Sequence, residues 1–205
     1  MRRVILLLAV MAATLVVASG VALAVNKIGT NGPDTLRGTN AADNLDGRGG
    51  NDVLYGLGGR DNLLGGESKD WVLGGNEERP LGGDKNLLGG PGNDGMFGGT
   101  GPDNMLGGSG NDFASGDPGS DTVVGEEGRD IVDGDAFIVN NRPAMRDIVS
   151  CGGGFDRVAA DTKDQVAPDC ERVRRGPAVH EELEEMFEEL GFVEVFEGLA
   201  PFPQG

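Results

Sequence analysis

The chain has 205 residues, 34 acidic against 17 basic side chains for a formal charge of −17, 38 glycines and only 5% aromatic residues. That charge excludes a general binder of nucleic acid or of anionic membranes, since both need the opposite sign. So little large apolar material cannot fill an ordinary globular core at this length, and a chain so rich in glycine and acid needs cations to offset its ordering entropy and self-repulsion.

The first element is a leader. Met1-Arg2-Arg3 precedes an apolar run from Val4 to Val17, and Val21-Ala22-Leu23-Ala24 carries small residues at the A-x-A positions. This predicts a secretory signal peptide over residues 1–24, cleaved after Ala24. The alternative is an uncleaved anchor, because Val4 to Val25 is nearly long enough to span a bilayer. Ser19 and Gly20 dilute the far end of the run and favour cleavage. Either way the rest of the chain is expected in an extracytoplasmic compartment, where calcium is plentiful and disulfides persist. No contact with the membrane is expected after cleavage.

From Gly29 an aspartate recurs every nine residues. The first run is Asp34, Asp43, Asp52, Asp61 and Asp70; after one gap come Asp94, Asp103, Asp112, Asp121 and Asp130. Glycines precede each acid, as in Gly47-Arg48-Gly49-Gly50-Asn51-Asp52, and a large apolar residue follows two places later, as in Leu54. The unit reads G-G-x-G-x-D-x-U-x. A unit this small cannot fold alone and must stack on its neighbours, which predicts a solenoid. Its glycine half can turn sharply, and the three residues around U form a short strand whose middle side chain points inward. The inward series is Leu36, Leu45, Leu54, Leu63, Val72, Met96, Met105, Val123 and Val132, interrupted by the smaller Ala114.

The aspartates then lie at the turns. Carboxylates and freed carbonyls are hard oxygen ligands, which suit Ca²⁺ with its six to eight oxygens in flexible geometry better than Mg²⁺. Aspartates that only cap turns could be replaced by Asn or Ser; ten at one phase favour a requirement for negative charge.

These residues carry a resemblance. The stretch from Gly29 to Asp133, about half the chain, resembles the RTX family of calcium-binding nonapeptide repeats. The resemblance implies an all-β fold, a parallel β-roll in which two nonapeptides make one coil and each Ca²⁺ sits between coils stacked on the same side. It pairs Asp34 with Asp52, Asp52 with Asp70, Asp43 with Asp61, Asp94 with Asp112, Asp112 with Asp130 and Asp103 with Asp121, implying about six calcium sites. Between Gly74 and Leu88 the period shortens, and Arg79 and Lys85 stand where aspartates are due. A cation cannot share a calcium cage, so metal binding is expected to lapse there, dividing the array into two calcium ladders.

After a roll over residues 25–133, residues 134–174 read as an insertion around Ala136 to Pro143 and then one or two degenerate coils at Asp147 and Asp156. This stretch resembles the cysteine-bearing end of secreted bacterial arrays of this type, and Cys151 and Cys170, the only cysteines, are expected to pair. Residues 175–205 read as an acidic helix and tail. Val179, Leu183, Met186, Phe187 and Leu190 fall on one helical face among glutamates, and Gly191 stands as a C-cap. A short C-terminal helix is expected to cap the exposed solenoid end. Export signals of RTX toxins lie at the C-terminus, yet this chain carries an N-terminal one, which puts the toxin route in doubt.

Nothing here assembles an enzyme. His180 is the only histidine, no H-E-x-x-H, G-x-S-x-G or phosphate-binding loop is present, and identically repeated carboxylates lack the two unlike environments that acid/base work needs. The expected function is a secreted, non-enzymatic calcium-binding protein whose folding is coupled to the metal. The alternative is an adhesion or matrix protein in which calcium only rigidifies a rod that binds a protein or glycan, and no residue names that partner.

Overall fold

In the computed structural model, residues 23–76, 86–134 and 146–175 are described, and every regular element among them is a strand. In chain order these are β1 (Asn26–Ile28), β2 (Thr35–Arg37), β3 (Asn44–Gly49), β4 (Val53–Leu57), β5 (Asn62–Glu67), β6 (Trp71–Asn76), β7 (Asn86–Pro91) and β8 (Gly95–Thr100). Then follow β9 (Asn104–Ser109), β10 (Phe113–Ser115), β11 (Thr122–Gly128), β12 (Ile131–Asp133), β13 (Ile148–Gly154), β14 (Arg157–Ala160), β15 (Gln165–Val166) and β16 (Arg172–Arg175). Odd-numbered strands form one parallel sheet of eight and even-numbered strands the other. Each pair of successive strands is therefore one coil of a parallel β-roll, as the nonapeptide period predicts.

The register explains the period. Leu45 pairs with Leu63, and Leu54 with Val72, so residues eighteen apart stack directly. Alternation along each short strand sends its middle side chain between the sheets. All ten inward residues named from the sequence lie in that core, joined by Leu87, Val149, Cys151, Val158 and Ala160. The core is one side chain thick from each sheet, so truncating a member such as Leu63 to alanine costs about 2–5 kcal/mol.

Tight stacking also dictates the glycines. Gly66 turns the chain at a φ of 118°, and a Cβ there would strike the backbone of Arg48 in the preceding coil. Any larger residue would push the coils apart.

Two insertions leave the roll intact. Asn62 pairs with Asn86 and Trp71 with Gly95, twenty-four residues on rather than eighteen, and Thr122 pairs with Ile148 and Ile131 with Arg157, twenty-six on. The extra residues fall in 77–85 and 135–145, outside the described residues, and the strands on either side resume the stack. Two further coils, β13–β14 and β15–β16, follow the second insertion, and a Cys151–Cys170 disulfide with Cα atoms 5.2 Å apart ties them together. No described helix is long and apolar enough to cross a membrane. Residues 1–22 of the expected leader, the expected loop around Phe137, His180 and the expected C-terminal helix lie outside the described residues.

The outer faces differ. On the odd sheet the first strand residue is Asn26, Asn44, Asn62, Asn86 and Asn104 in turn. Their amides hydrogen-bond along the stack, with Asn44 Nδ2 donating to Asn26 Oδ1 (2.7 Å), Asn86 to Asn62 (3.1 Å) and Asn104 to Asn86 (3.0 Å). On the even sheet Trp71, Leu73, Phe113 and Ile131 form a second apolar cluster with Val53, Tyr55 and Phe97 packed against it. Trp71 stacks on Phe97 at 6.2 Å between ring centroids, and Phe97 meets Phe113 at 5.3 Å.

Candidate metal centre

Each array aspartate stands immediately before a strand, so the roll lines these residues up along two edges. Asp34, Asp52, Asp70, Asp94, Asp112 and Asp130 precede even strands, and Asp43, Asp61, Asp103 and Asp121 precede odd ones. One hydrogen bond repeats along both edges: the backbone N–H of each aspartate donates to Oδ1 of the aspartate one coil later. It joins Asp34 to Asp52, Asp52 to Asp70, Asp43 to Asp61, Asp94 to Asp112 and Asp103 to Asp121 at 2.8–2.9 Å, and Asp112 to Asp130 at 3.0 Å. These are the six pairs that the resemblance implies.

The division into two ladders expected at the gap does not hold for the hydrogen-bond pattern of the even edge. The Asp70 N–H donates to Asp94 Oδ1 at 2.7 Å, across the insertion, so the six even aspartates form one continuous ladder. Only β7 lies between β6 and β8, which leaves one ladder position in the gap rather than two. The residue preceding Asn86 is Lys85, so only the odd ladder is interrupted in sequence, between Asp61 and Asp103; Arg79 corresponds to no ladder position.

The ladders also run further than the nonapeptide period showed. Asp121 N–H donates to Asp147 Oδ1, Asp130 to Asp156, and Asp147 to Asp164. Asp147 and Asp156 are the two positions expected as degenerate coils; Asp164, in Asp161-Thr162-Lys163-Asp164, had no such signal. At the C-terminal end the pattern closes, with Glu171 Oε2 accepting the Asp156 N–H at 2.9 Å.

The second carboxylate oxygen makes the arrangement chemically demanding. In the first coils Oδ2 of Asp34 and of Asp43 accepts the backbone N–H of Thr30 and of Thr39. In the interior, Oδ2 of Asp52, Asp70, Asp94, Asp112, Asp121, Asp130 and Asp156 is buried with no hydrogen-bond partner among the described residues. All but Asp156, where Cys151 takes that place, face a glycine five residues earlier. A Cβ on Gly89 would lie 2.6 Å from Asp94 Oδ2 and 2.5 Å from the Gly107 carbonyl oxygen, and one on Gly65 would lie 2.7 Å from both Asp70 Oδ2 and the Gly89 carbonyl. A carboxylate oxygen and a carbonyl oxygen of the next coil thus converge on a space that only glycine leaves open.

Burying a carboxylate without a donor or counter-charge is costly. Burial therefore pushes the acid groups upward, Asp94 to about 8, Asp70 and Asp112 to about 7, Asp61 and Asp130 to about 6, and Asp121 to about 9. The ladder N–H on each pulls back, and the stacked aspartate charge adds to the rise. Asp169 behaves oppositely: hydrogen bonds from the Ser150 hydroxyl and from the Gly152 N–H hold it below the ordinary value.

A cation fits this donor set. Among the described residues no three acidic, histidine or cysteine side chains cluster for a metal, so an ion between coils would take stacked carboxylates together with carbonyls. All-oxygen ligation of that kind suits Ca²⁺, whereas structural Zn²⁺ takes sulfur and imidazole.

Comparison with known families agrees. The RTX calcium-binding nonapeptide repeat matches in four copies, over residues 28–63, 46–77, 82–105 and 106–137, together just over half the chain. The chain belongs to this family. It is a calcium-binding repeat protein. Neither curated proteins nor solved structures give a match.

Proposed function

We propose that this RTX chain is a secreted, non-enzymatic calcium-binding protein whose roll folds only as calcium fills the ladders, with the ten array aspartates as ligands. The carrying observation is the row of buried, unpartnered Oδ2 atoms, which leaves the metal-free fold with a repeated electrostatic cost that a divalent cation removes. Asp147, Asp156 and Asp164 extend the ligand set. Counted by the inter-coil aspartate hydrogen bonds, there are ten slots in place of six, the additions being Asp70/Asp94, Asp121/Asp147, Asp130/Asp156 and Asp147/Asp164.

At millimolar calcium and dissociation constants near 10⁻⁴ to 10⁻³ M, linkage contributes roughly 0.4–1.4 kcal/mol per site. Summed over the slots, that matches the ordinary stability of a small domain, about 5–15 kcal/mol. Secretion is supported by the leader-like residues 1–24 and by the Cys151–Cys170 disulfide, which suits an oxidising compartment. The roll spans residues 25–133, with residues 134–174 adding the disulfide-tied closing coils.

The test is circular dichroism of the chain lacking residues 1–24. Calcium should raise β-structure from a largely disordered state in chelator. Spectra that coincide in chelator and in calcium would sink the coupling.

A further inference from the structure

We propose that the first position of the odd ladder is a site for the chain's own processed terminus: cleavage after Ala24 converts the Val25 N–H into an α-ammonium group that ion-pairs with Asp43. This rests on the reading of residues 1–24 as a cleaved leader, and not on the coupling of folding to calcium. The ladder then ends on a cation that the chain itself supplies.

Val25 holds a ladder position without being an aspartate. It stands immediately before β1, as Asp43 stands before β3, and Asn26 pairs with Asn44. Its backbone makes both bonds that mark the position. The Val25 N–H donates to Asp43 Oδ1 at 2.6 Å, as the Asp43 N–H donates to Asp61 Oδ1 at 2.8 Å. The Val25 carbonyl accepts the Asn44 N–H at 2.9 Å, and the Asp43 carbonyl accepts that of Asn62 at 2.9 Å. Only the side chain differs, being apolar and packed against the inner core. This step of the ladder therefore has one carboxylate where an interior step has two, and a single positive charge matches it. The other donors to Asp43, the Thr39 N–H and hydroxyl, are neutral. Lys27, the basic residue of β1, donates to the Arg37 carbonyl instead.

Two independent signals select the same peptide bond. The small residues Ala22 and Ala24 mark the Ala24–Val25 bond for a signal peptidase from the sequence alone. The pairing of β1 with β3 puts the first ladder nitrogen at Val25 from the backbone alone. Cleavage one residue earlier would move the charge about 3.5 Å along an extended chain, and one residue later would remove the donor. Hydrolysis balances simply: water supplies the oxygen that leaves in the Ala24 carboxylate and the two protons that turn the Val25 N–H into NH3⁺. A hydrogen bond between ionised partners is about twice as strong as a neutral one, so the bond already formed at this nitrogen is strengthened in place.

The chain secreted by a host that processes leaders should begin at Val25 on N-terminal sequencing. Any other start overturns the leader reading and this proposal with it. Three forms are then melted at saturating calcium and about pH 6.5, where an α-amino group is charged: residues 25–205 with a free amine, the same chain acetylated on Val25, and residues 24–205. All three keep the Val25 nitrogen and every ladder carboxylate; the second removes the charge and the third moves it by one residue. Both altered forms should melt about 2–6 °C below the free Val25 form, and D43N should abolish the difference. Equal melting of all three, with secretion starting at Val25, would overturn the ion pair and leave the leader reading standing. A difference undiminished in D43N would overturn Asp43 as the partner. Should D43N fail to fold, residues 24–205 decide: a lower melting temperature there supports the proposal, and a loss on acetylation alone overturns it in favour of a general effect of net charge.

Discussion

The odd and even sheets are built from one repeat and share one core, yet the position after each ladder aspartate is used in opposite ways. On the odd sheet the first strand position holds Asn26, Asn44, Asn62, Asn86 (after Lys85) and Asn104, with amide hydrogen bonds from Asn44 to Asn26, Asn86 to Asn62 and Asn104 to Asn86, before Thr122 and the exposed Ile148 take it over. On the even sheet the same position holds Val53, Trp71, Gly95, Phe113 and Ile131, where Gly95 leaves room for the Trp71 ring to lie over it. The edges differ as well: the even carboxylate ladder is continuous from Asp34 to Asp156, while the odd one is interrupted at Lys85. A glycine-aspartate repeat thus fixes the backbone and the inner core, and leaves the outer residue free to give each sheet its own surface.

The largest test of this contrast is pH in the absence of calcium. Burial raises Asp70, Asp94, Asp112 and Asp130 in the folded chain to between about 6 and 8, and Asp121 to about 9. The unfolded chain holds them near the ordinary carboxylate value of about 4. The folded state therefore binds more protons, and the stabilisation from protonation is fully present below about pH 4 and lost as pH rises through 6 to 9. In chelator the chain should gain structure on acidification from pH 9 towards pH 4, and calcium should be needed most at the alkaline end. Trp71 emission and circular dichroism followed together would check it; structure in chelator that increases with pH would contradict it.

Next in size is the outer face. Phe113→Ala should destabilise the calcium-loaded chain by about 3–5 kcal/mol, as for a core aromatic. Asn62→Ala, on the facing sheet, should cost about 1 kcal/mol, the net worth of a hydrogen bond. Thermal unfolding of the two variants separates a buried aromatic cluster from a half-buried amide ladder.

Ten residues of the inner core, Leu36 through Val132, were legible in the sequence because they obey a period that stacking makes obligatory; Leu87, in the gap, and Val149, Cys151, Val158 and Ala160, beyond the period, were not. The continuity of the even ladder was not. Counting along the chain treats the six extra residues after Asp70 as a loss of phase, whereas strand pairing restores the phase in space once the insertion leaves the stack. Asp147 and Asp156 were legible only as degenerate coils, and Asp164 not at all; Asp147 joins the ladder by pairing with Asp121, and Asp164 by pairing with Asp147, without a glycine signature. The even-face aromatics were visible as letters. Their meaning depends on which sheet follows which aspartate, and that needs the register.

The ladders give a smaller effect. Asp94→Asn keeps the shape of the side chain and removes the charge shared by two slots, Asp70/Asp94 and Asp94/Asp112. Asp61→Asn removes charge from the single slot that Asp61 shares with an aspartate, Asp43. Calorimetric titration should show about two calcium ions lost in the first variant and one in the second, with roughly 1–3 kcal/mol against about half that in stability. Equal losses would mean that the insertion does divide the even ladder.

The smallest and most selective change is Lys85→Asp. The residue preceding each neighbouring odd strand is an aspartate, Asp61 before β5 and Asp103 before β9, and β7 pairs with both strands in parallel register. A carboxylate at position 85 would therefore stand in line with both and create two slots where the present chain has a cation. Calcium stoichiometry should rise by up to two, and the calcium-loaded melting temperature should rise by the equivalent of about 0.4–1.4 kcal/mol per slot. In chelator the sign reverses, because one more carboxylate joins an uncompensated stack and self-repulsion grows. A variant stabilised in both conditions would show that removing Lys85, rather than extending the ladder, caused the gain; opposite signs would make the odd edge continuous, like the even one.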